Sequence, residues 1–414
     1  MQRAMKIVLM PTPDQAEALW ETLRQSSECF NAVCDYGWQN GEKNGVELHK
    51  ATYYPLKAEY PQMPCQLLCA ARVKATEALK SAFALRKKGG KVSCPKGEQV
   101  PIRYDARSYR LLVDKSIASL ASVNGRQEVA YRLYNHAAKA FAEATGFDSA
   151  DLVYRKGQWH LHVVLTMPTP EFVDNAQAVG VDLGLNRPAV TSNRKFLGQR
   201  RWREISNRYF RLRRELQSKG TKSAKRRLKA LSGKTARFRK DCDHVLSKQV
   251  VRSVSPGTTI VVENLTDIRT GTKQKGRQSR RRLHSWSFAQ MRSFLTYKAE
   301  ARGCQVVGVD PRYTSQKCSR CGYTHRGNRK SQSVFLCKEC GYELNADLNG
   351  SINIARKYLD ALGIPECVGL PSESPLSQTT VPSSFVTWPK NHTDGVSGAE
   401  YGLETSPQPL GGGI

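Results

Sequence analysis

The chain has 414 residues, enough for two or three modules that each bury a hydrophobic core. It carries 65 lysines and arginines against 36 aspartates and glutamates, a net charge of +29 with an isoelectric point near 9.8. This excess predicts a polyanionic partner, for which nucleic acid is the leading candidate. An anionic membrane is the weaker interpretation, because the sequence contains no run of about 18 apolar residues and no isolated amphipathic basic helix.

The N-terminus and the cysteines indicate a reducing environment. A short apolar run ends at Pro11 without the small-residue cleavage site of a signal peptide. Of the 12 cysteines, four form two Cys-x-x-Cys pairs and eight are scattered. This usage is typical of a reducing compartment with one metal site, and not of a disulfide network. We therefore expect a cytoplasmic protein.

The first predicted elements are a short strand and a long helix. Residues 5–10 are apolar and extended in character, and the helix follows them directly. Thr12-Pro-Asp-Gln15 supplies an N-cap, a proline at the first helical position and a capping-box glutamine. The apolar periodicity that follows predicts a helix to about Gln39.

A second helix and a β-rich region complete the N-terminal part. The helix is predicted over Gln66–Arg86, after breaks at Pro55 and Pro61. From Val92 to Pro170 the sequence becomes strand-like, in short segments such as 108–114 and 158–167. The order of these elements predicts a small β-barrel or sheet into which a helical module is inserted.

From residue 178 onward, strands and helices alternate. An apolar strand ends at Asp182, a second one over Thr258–Glu263 also ends in an acid, and a third follows over Cys304–Val309. A helix over Trp286–Gly303 precedes the third strand. This mixed order predicts an α/β domain.

The segment Arg200–Arg252 predicts a helical hairpin, because apolar residues recur at helical spacing and Gly220 and Gly233 interrupt it. Between Arg200 and Lys240 the acids are only Glu204 and Glu215. Such one-sided charge predicts contacts with phosphates, although a solvated basic face is the alternative. The candidates come from this hairpin and from a predicted basic loop over 269–284: Arg226, Arg227, Arg280, Arg281 and Arg282.

Four cysteines form a C-x2-C-x15-C-x2-C array: Cys318, Cys321, Cys337 and Cys340. The spacing lets two tight turns meet around one tetrahedral zinc ion, with an iron–sulfur centre as the weaker alternative. Gly322 and Gly341 follow the second cysteine of each pair, where such a turn needs a positive φ. Four cysteine ligands leave no open coordination position, so the predicted zinc is structural.

Three acids form a candidate site for divalent cations. Asp182 and Glu263 each end an apolar strand, and Asp347 opens a helix with one apolar stripe. If that stripe packs on the sheet, Asp347 can reach the two strand ends. Phosphodiester hydrolysis commonly uses two such cations held by clustered carboxylates. Each acid taken alone is more often a helix cap or an ordinary strand end.

Four ordered segments resemble the TnpB (OrfB) proteins of insertion sequences, whose RuvC signature compact type V CRISPR effectors share. They cover about residues 178–357 and read Gly180-Val-Asp182-Leu-Gly184, Val261-Val-Glu263-Asn-Leu265, Tyr313-Thr-Ser-Gln-Lys-Cys318 through Cys340-Gly341, and Asn345-Ala-Asp347-Leu-Asn349-Gly-Ser-Ile-Asn353. Matched by residue, the resemblance implies that Asp182, Glu263 and Asp347 are catalytic and hold Mg²⁺ or Mn²⁺. It also implies that the four cysteines hold zinc. Arg329 matches an arginine near the active site of relatives.

The resemblance further implies a multidomain α+β fold. Its first part is an RNase H-like (RuvC) α/β nuclease domain, residues 176–313 and 344–366, with an inserted helical hairpin at 200–252 and a zinc ribbon at 314–343. Its second part is an N-terminal β-barrel, or wedge, domain, residues 1–12 and 91–175, with an inserted helical recognition module at 13–90. The composition of residues 367–414, rich in Ser, Pro, Thr and Gly, predicts a disordered tail.

The implied function is that of an RNA-guided DNA endonuclease of a transposable element. The implied partners are a guide RNA from the transposon end and target double-stranded DNA with a short flanking motif, without a membrane. We expect a monomer associated with a prokaryotic nucleoid.

Several other functions share part of these features. A nuclease-inactive RNA-guided transcriptional repressor typically lacks one of the three acids, which are all present here. A compact type V CRISPR effector shares the signature, and a strand-transfer transposase shares the carboxylate chemistry. A plain zinc-ribbon adaptor for nucleic acid leaves Asp182 and Glu263 unexplained.

Overall fold

The computed structural model describes residues 1–266, 276–363 and 386–387, and the chain divides into two compact units, Met1–Pro168 and Thr169–Ile414. Each unit has its own β-sheet with its own buried core. None of the helices in these described ranges combines the length and the apolar composition that a membrane crossing needs.

The first unit is built on a seven-stranded antiparallel sheet with the order β2-β6-β7-β1-β5-β4-β3. Its strands are β1 (Gln2–Met10), β2 (Ile102–Tyr104), β3 (Tyr109–Leu112), β4 (Ile117–Ser122), β5 (Gly125–Arg132), β6 (Gly146–Arg155) and β7 (Gln158–Thr166). The two end strands, β2 and β3, are joined by only four residues, 105–108. The Tyr104 hydroxyl donates to the carbonyl of Ala121 on β4, 2.9 Å away. The sheet therefore curls until its ends approach each other, while the closed barrel stays a prediction.

Three helices lie between β1 and β2, of which the sequence predicted the first and the third: α1 (Pro13–Gln39), α2 (Gly45–Glu59) and α3 (Cys65–Lys87). The capping box at the start of α1 is confirmed, since the Thr12 side chain accepts from the Gln15 amide and the Gln15 side chain accepts from the Thr12 amide. A fourth helix, α4 (Asn135–Glu143), lies in the region that the sequence predicted to be strand-like.

The predicted break at Pro55 is wrong, because α2 continues through it to Glu59. Proline inside a helix removes one backbone hydrogen bond. Leu48, Thr52 and Leu56 nevertheless form a buried stripe at helical spacing along α2. Packing of such a stripe contributes more to a helix than local propensity does, so the helix persists.

The second unit contains a six-stranded mixed sheet with the order β10-β9-β8-β11-β12-β15. Its strands are β8 (Ala178–Asp182), β9 (Ala189–Thr191), β10 (Phe196–Leu197), β11 (Thr259–Glu263), β12 (Gln305–Val309) and β15 (Val386–Thr387). Strands β8, β11 and β12 are parallel, whereas β9, β10 and β15 pair antiparallel with their neighbours. Of the predicted tail, 367–414, only β15 lies within the described residues.

Helices cover both faces of this sheet. On one face, α6 (Lys222–Arg252) and α8 (Phe288–Glu300) pack with β8 and β11 around Val250, Ile260 and Leu295. On the other face, α9 (Ala346–Ala361) packs Ile354 and Tyr358 against Val261 and Val307. The mixed α/β prediction is thus confirmed for this unit.

The predicted hairpin is formed by α5 (Arg201–Lys219) and α6, and it turns at Gly220, which has a φ of +63°. The Thr221 side chain then caps α6 by accepting from the Ala224 amide. The predicted interruption at Gly233 is wrong, because α6 runs through it. A glycine in a helix interior costs only about 1 kcal/mol, which packing of this long helix offsets.

The remaining described elements are a helix and the ribbon. Helix α7 spans Arg277–His284, within the predicted basic loop, whose residues 269–275 lie outside the described residues. The ribbon consists of β13 (Val334–Leu336) and β14 (Glu343–Asn345), preceded by a 3-10 turn over Arg326–Asn328. Strand β14 leads directly into α9, so the ribbon and the last helix form a continuous piece of chain.

Helix α9 lies directly on β8 at Gly180. A Cβ atom built on Gly180 would lie 2.0 Å from the carbonyl oxygen of Ser351 and 2.6 Å from the amide nitrogen of Ala355. Both contacts are with backbone, which cannot move aside as a flexible side chain can. The absence of a side chain at residue 180 therefore allows the helix to approach the strand this closely.

We predict that Gly180→Ala lowers the midpoint of thermal unfolding, because the new methyl group forces α9 away from the sheet. Overpacking of this kind costs about 1–3 kcal/mol. The matched control is Gly233→Ala in α6, whose Cβ would meet only the flexible Arg237 side chain at 3.4 Å. That change should raise the midpoint slightly, since alanine is the better helix former by about 1 kcal/mol. Equal midpoints for Gly180→Ala and the parent chain would contradict the packing argument.

Candidate functional site

The structure brings the first two predicted acids to one edge of the sheet. Asp182 is the last residue of β8 and Glu263 the last residue of β11. The two strands are parallel neighbours, and Val181 pairs with Val262 immediately before the acids. Because parallel strands end at the same edge, the two carboxyl groups project from adjacent positions.

The third acid reaches this edge from α9. Asn345 caps the helix, its side chain accepting from the amides of Asp347 and Leu348 at 3.1 and 3.2 Å. One turn further, Gly350 lies against the first acid: a Cβ built on it would be 3.1 Å from Asp182 Oδ2. The N-terminal end of α9 therefore lies directly over the Asp182 carboxyl.

The three carboxyl groups lie close enough to affect one another electrostatically. Burial raises the pKa of Asp182 from 3.8 to about 7, together with the negative charges of Glu263 and Asp347, while the positive charge of Arg329 opposes the shift. Burial also raises the pKa of Glu263, against the opposing effect of its hydrogen bond from Thr314. A carboxyl pKa raised mainly by burial, with like charges adding to the shift, indicates that the ionised form is unfavourable in the protein alone.

Arg329 lies where the sequence predicted it, beside the acids. Its Nη2 forms an ion pair with Asp347 Oδ1 at 3.1 Å and donates to the carbonyl of Gln332 at 3.2 Å. Both charged groups are mostly buried, with side-chain exposures of 27% and 13%. The ion pair fixes the orientation of the Asp347 carboxylate and leaves its second oxygen for other ligands.

Sequence reasoning missed Thr314 and the polar side of α9. The hydroxyl of buried Thr314 donates to Glu263 Oε1 at 2.6 Å. Asn353 donates to the carbonyls of Thr314 and Lys317 at 2.9 and 2.6 Å, and Asn349 donates to Lys317 at 2.9 Å. Asparagines spaced by four residues inside a buried helix were an available signal, since buried amides need hydrogen-bond partners.

These residues fit divalent cations. Carboxylate oxygens are the ligands that Mg²⁺ and Mn²⁺ prefer, and a bound cation would favour the ionised form of Asp182, which burial and like charges disfavour. Among the described residues, the three carboxylates do not form a compact ligand set like that of the four cysteines, whose ligand atoms all lie within 4.8 Å of one another.

The four cysteines converge as predicted. Their sulfur atoms all lie within 4.8 Å of one another, with 3.8 Å between Cys318 and Cys340 and 3.6 Å between Cys321 and Cys337. Tetrahedral zinc with Zn–S bonds of about 2.3 Å requires sulfurs about 3.8 Å apart. The donor set and its geometry are thus compatible with zinc.

The two cysteine turns have the same construction. The Cys318 amide donates to Tyr323 and the Cys337 amide donates to Tyr342, each at 2.9 Å. The amides of Gly322 and Gly341 donate back to the first cysteine carbonyls, with φ angles of +77° and +67°. The sequence Cys-x-x-Cys-Gly-Tyr occurs at both turns, and its repetition explains why they match.

The predicted nucleic-acid-binding arginines differ in their exposure and contacts. Arg226 and Arg227 are exposed on α6, and Arg280 is exposed on α7. Arg281 lies with its guanidinium 3.5 Å from the ring centroid of Phe210 on α5, so it is engaged within the unit. The side chain of Arg282 lies outside the described residues.

Comparison with known proteins first indicates the class. The family described as "Probable transposase" matches residues 162–269, and the family described as "Cas12f1-like, TNB domain" matches residues 288–354. A solved complex of Cas12f1 with single guide RNA and target DNA is 18% identical, with a TM-score of 0.56 over 83% of each chain. CasPhi-2 (Cas12j) bound to crRNA is 11% identical, with a TM-score of 0.50 over 86% of this chain and 98% of that one. The chain therefore shares its multidomain α/β fold with compact type V effectors.

Individual relatives include a Cas12f1 enzyme and TnpB-like proteins. A Cas12f1 endodeoxyribonuclease of Sulfoacidibacillus thermotolerans is 31% identical over 50% of this chain and 52% of its own length. InsQ of Escherichia coli strain K12 is 32% identical over 48% of this chain and 53% of its own length. A TnpB-like protein of Methanocaldococcus jannaschii is 32% identical over 31% of this chain and 46% of its own length. The resemblance to TnpB (OrfB) proteins is confirmed, although the chain spans only about half the length of these relatives.

We predict that Asp182→Asn stabilises the metal-free protein at pH 8. The pKa of Asp182 is about 7 in the folded chain and about 3.8 when unfolded, so its stabilising contribution is complete below pH 3.8 and is lost as the pH rises through 7. Removing the charge should raise the unfolding midpoint by roughly 2–8 °C at pH 8, corresponding to about 1–3 kcal/mol. The gain should vanish near pH 4.

Thermal scans at pH 4 and pH 8, with chelator and with Mg²⁺, measure this effect. Mg²⁺ should raise the midpoint of the parent chain at pH 8 and leave that of the variant nearly unchanged. Asp360→Asn, at the exposed far end of α9, is the matched control and should shift neither midpoint. A variant that is less stable than its parent at pH 8 would refute the repulsion argument.

We predict that the purified chain contains one zinc ion and that Cys337→Ser loses it, because three thiolates and a hydroxyl bind zinc more weakly than four thiolates. Metal content is measured by inductively coupled plasma mass spectrometry. Cys65→Ser changes an exposed cysteine outside the ribbon and should keep the metal. Proteolysis should then cut residues 314–343 in the first variant alone. Stoichiometric zinc in Cys337→Ser would contradict the four-cysteine site.

Proposed function

We propose that the chain is an RNA-guided DNA endonuclease of a transposable element, which hydrolyses target DNA at the cluster of Asp182, Glu263 and Asp347. The observation that carries the proposal is the convergence of three acids from β8, β11 and α9, where burial and the negative charges of the other two acids raise the pKa of Asp182 to about 7. Relatives described as a putative RNA-guided DNA endonuclease and as an endodeoxyribonuclease support it.

An RNase H-like (RuvC) core is the fold we assign to the second unit. The order β10-β9-β8-β11-β12, with two antiparallel steps followed by two parallel ones, supports this assignment. Asp182 and Glu263 lie at the carboxyl ends of the two central parallel strands, where α/β sheets commonly bind ligands. The curled sheet and the three inserted helices of the first unit support a wedge domain with a recognition module.

Asp182, Glu263 and Asp347 would hold Mg²⁺ or Mn²⁺. When bound, such cations supply the charge neutralisation and the water activation that phosphodiester hydrolysis requires. The protein orients the ligands: Thr314 holds one oxygen of Glu263, and Arg329 holds one oxygen of Asp347. These contacts would orient the second oxygen of each carboxylate toward a cation, because hydrogen bonds from surrounding residues orient the ligands of metal sites.

The basic residues would bind nucleic acid through its backbone. Arg226, Arg227 and Arg280 are exposed and belong to a chain with a net charge of +29, a pattern suited to phosphate contacts. Sequence choice would come from pairing between a guide RNA and the target strand, together with a short duplex motif beside the target. We propose that the chain acts as a monomer in the prokaryotic cytoplasm, close to the nucleoid.

A compact CRISPR-associated effector is the second candidate. It is favoured by the match of residues 288–354 to the Cas12f1-like family and by the 31% identity to a Cas12f1 enzyme. The chemistry at the acids would be the same, and the source of the guide would differ. Sequencing the RNA that co-purifies with the chain separates the two, since one comes from a transposon end and the other from a CRISPR array.

We predict that Asp182→Ala abolishes DNA cleavage, lowering the rate at least 100-fold, because the cluster loses a carboxylate at its centre. The chain is expressed with the DNA that flanks its gene, and the bound RNA is sequenced. Linearisation of a plasmid that carries the matching target, next to randomised flanking bases, is then measured in Mg²⁺.

Asp360→Asn should cut like the parent, and both variants should bind the RNA within a few-fold of the parent. Linearisation by Asp182→Ala would remove the acid cluster from the mechanism. A parent complex that binds the plasmid without cutting it would favour the nuclease-inactive repressor.

A further inference from the structure

Tyr313 adopts a strained backbone conformation. Its φ is +67°, in the left-handed region, and its side chain is 62% exposed. For a residue with a Cβ this region costs about 1–2 kcal/mol, and a bulky aromatic residue there is a genuine outlier. Glycine would remove the strain, yet the sequence has a large aromatic residue at this position.

Hydrogen bonds from α9 hold the segment around Tyr313 in this conformation. Lys357 Nζ donates to the carbonyls of Asp310 and Arg312 at 2.9 and 2.7 Å, just before the strained residue. Asn353 donates to the carbonyl of Thr314, just after it, at 2.9 Å. The Tyr313 carbonyl itself accepts from two amides of the following turn, each at 2.9 Å. Strain persists where surrounding contacts determine the conformation this fully, and it concentrates at functional sites.

The strained residue adjoins the acid cluster. Its neighbour Thr314 donates a hydrogen bond of 2.6 Å to Glu263 Oε1. Adding the spacing of consecutive Cα atoms and the reach of the threonine side chain puts the Tyr313 Cα within about 9 Å of that oxygen. One or two nucleotides of a single strand bridge this distance.

The Tyr313 ring is available for a ligand. Within the described residues it stacks on no other ring, lies under no cation, and its hydroxyl makes no hydrogen bond. Other aromatic side chains of the ribbon are engaged: Tyr323 stacks with His325 at 6.1 Å, and Arg320 lies 5.7 Å over Tyr342. A single exposed aromatic residue is ordinary by itself. The combination of strain, imposed geometry and proximity to the acids distinguishes this one.

We propose that Tyr313 is a stacking platform for an unpaired base of the DNA strand that enters the acid cluster. The inference rests on the proposed nuclease function and deepens it, by assigning the side chain that holds the substrate strand beside the acids. Aromatic rings bind unpaired bases of any sequence by stacking, which suits a nuclease whose sequence choice lies elsewhere. The left-handed backbone would set the direction of the ring, and the hydrogen bonds from Lys357 and Asn353 on α9 would hold that backbone in place.

Binding is tested with the full chain carrying Asp182→Asn, so that the probe is not cut. The probe is a single-stranded oligonucleotide of about 12 nucleotides with one 5-iodouracil, at salt low enough for binding. Irradiation followed by peptide mass spectrometry should map the crosslink to Tyr313. Tyr313→Gly should weaken binding about 5- to 150-fold, the range expected for one lost stack, while Tyr313→Phe should stay within about twofold.

The unfolding midpoint separates stacking from a structural role. Tyr313→Gly relieves the backbone strain, so its midpoint should equal or exceed that of the parent while its binding falls. Ala176→Gly is the matched control, because it relieves a similar strain at a φ of +57° in the same unit without removing a ring. Its crosslinking should be unchanged.

Undiminished binding and crosslinking by Tyr313→Gly would overturn the stacking inference, as would an equal loss in Ala176→Gly. The plasmid assay with Asp182 restored tests the proposed function separately. A parent chain that cuts plasmid while Tyr313→Gly binds normally leaves the nuclease standing and removes only the platform. A parent chain that never cuts its matched target removes the function on which the platform rests.

Discussion

The close approach of α9 to β8 is the constraint on which the second unit depends. Gly180 on the strand lies against the backbone of Ser351 and Ala355, and Gly350 on the helix lies against the Asp182 carboxyl. No side chain separates the two elements at these points, so the first turn of the helix reaches the end of the strand. Because of this contact, Asp347 lies near Asp182, although the two acids are 165 positions apart in the chain.

The same helix connects the acids to the ribbon. Its polar side carries Asn349, Asn353 and Lys357, at intervals of four residues, and their amide and ammonium groups bind carbonyls between residues 310 and 317. Asn349 also accepts from the amide of Ser319, within the first cysteine turn. Because these side chains are buried or partly buried and donate to backbone carbonyls, the site edge and the cysteine turn are held by the same helix. Loss of zinc would therefore loosen the segment that holds Thr314 on Glu263.

Gathering the acids is electrostatically unfavourable in the protein alone. Burial and like charges raise the pKa of Asp182 to about 7, and Arg329 offsets only part of that repulsion. The surface of α6 and α7, by contrast, is positively charged, with exposed arginines on both helices. A concentrated negative site within a positive protein suits a polyanionic substrate whose backbone is drawn to the surface and whose cleavage needs divalent cations. The strain at Tyr313 lies at the same edge, as strain at functional sites commonly does.

The sequence by itself determined the features that depend on neighbouring residues in the chain. The acids at the ends of β8 and β11, the capping box at Thr12 and the paired cysteine turns follow from short patterns, because each is set by local geometry. Only the tertiary structure decided the features that depend on distant partners. Helix α2 continues through Pro55 and α6 through Gly233 because packing outweighs local propensity. Thr314 joins the acids, and Tyr313 takes a positive φ, because α9 binds the backbone on both sides of Tyr313.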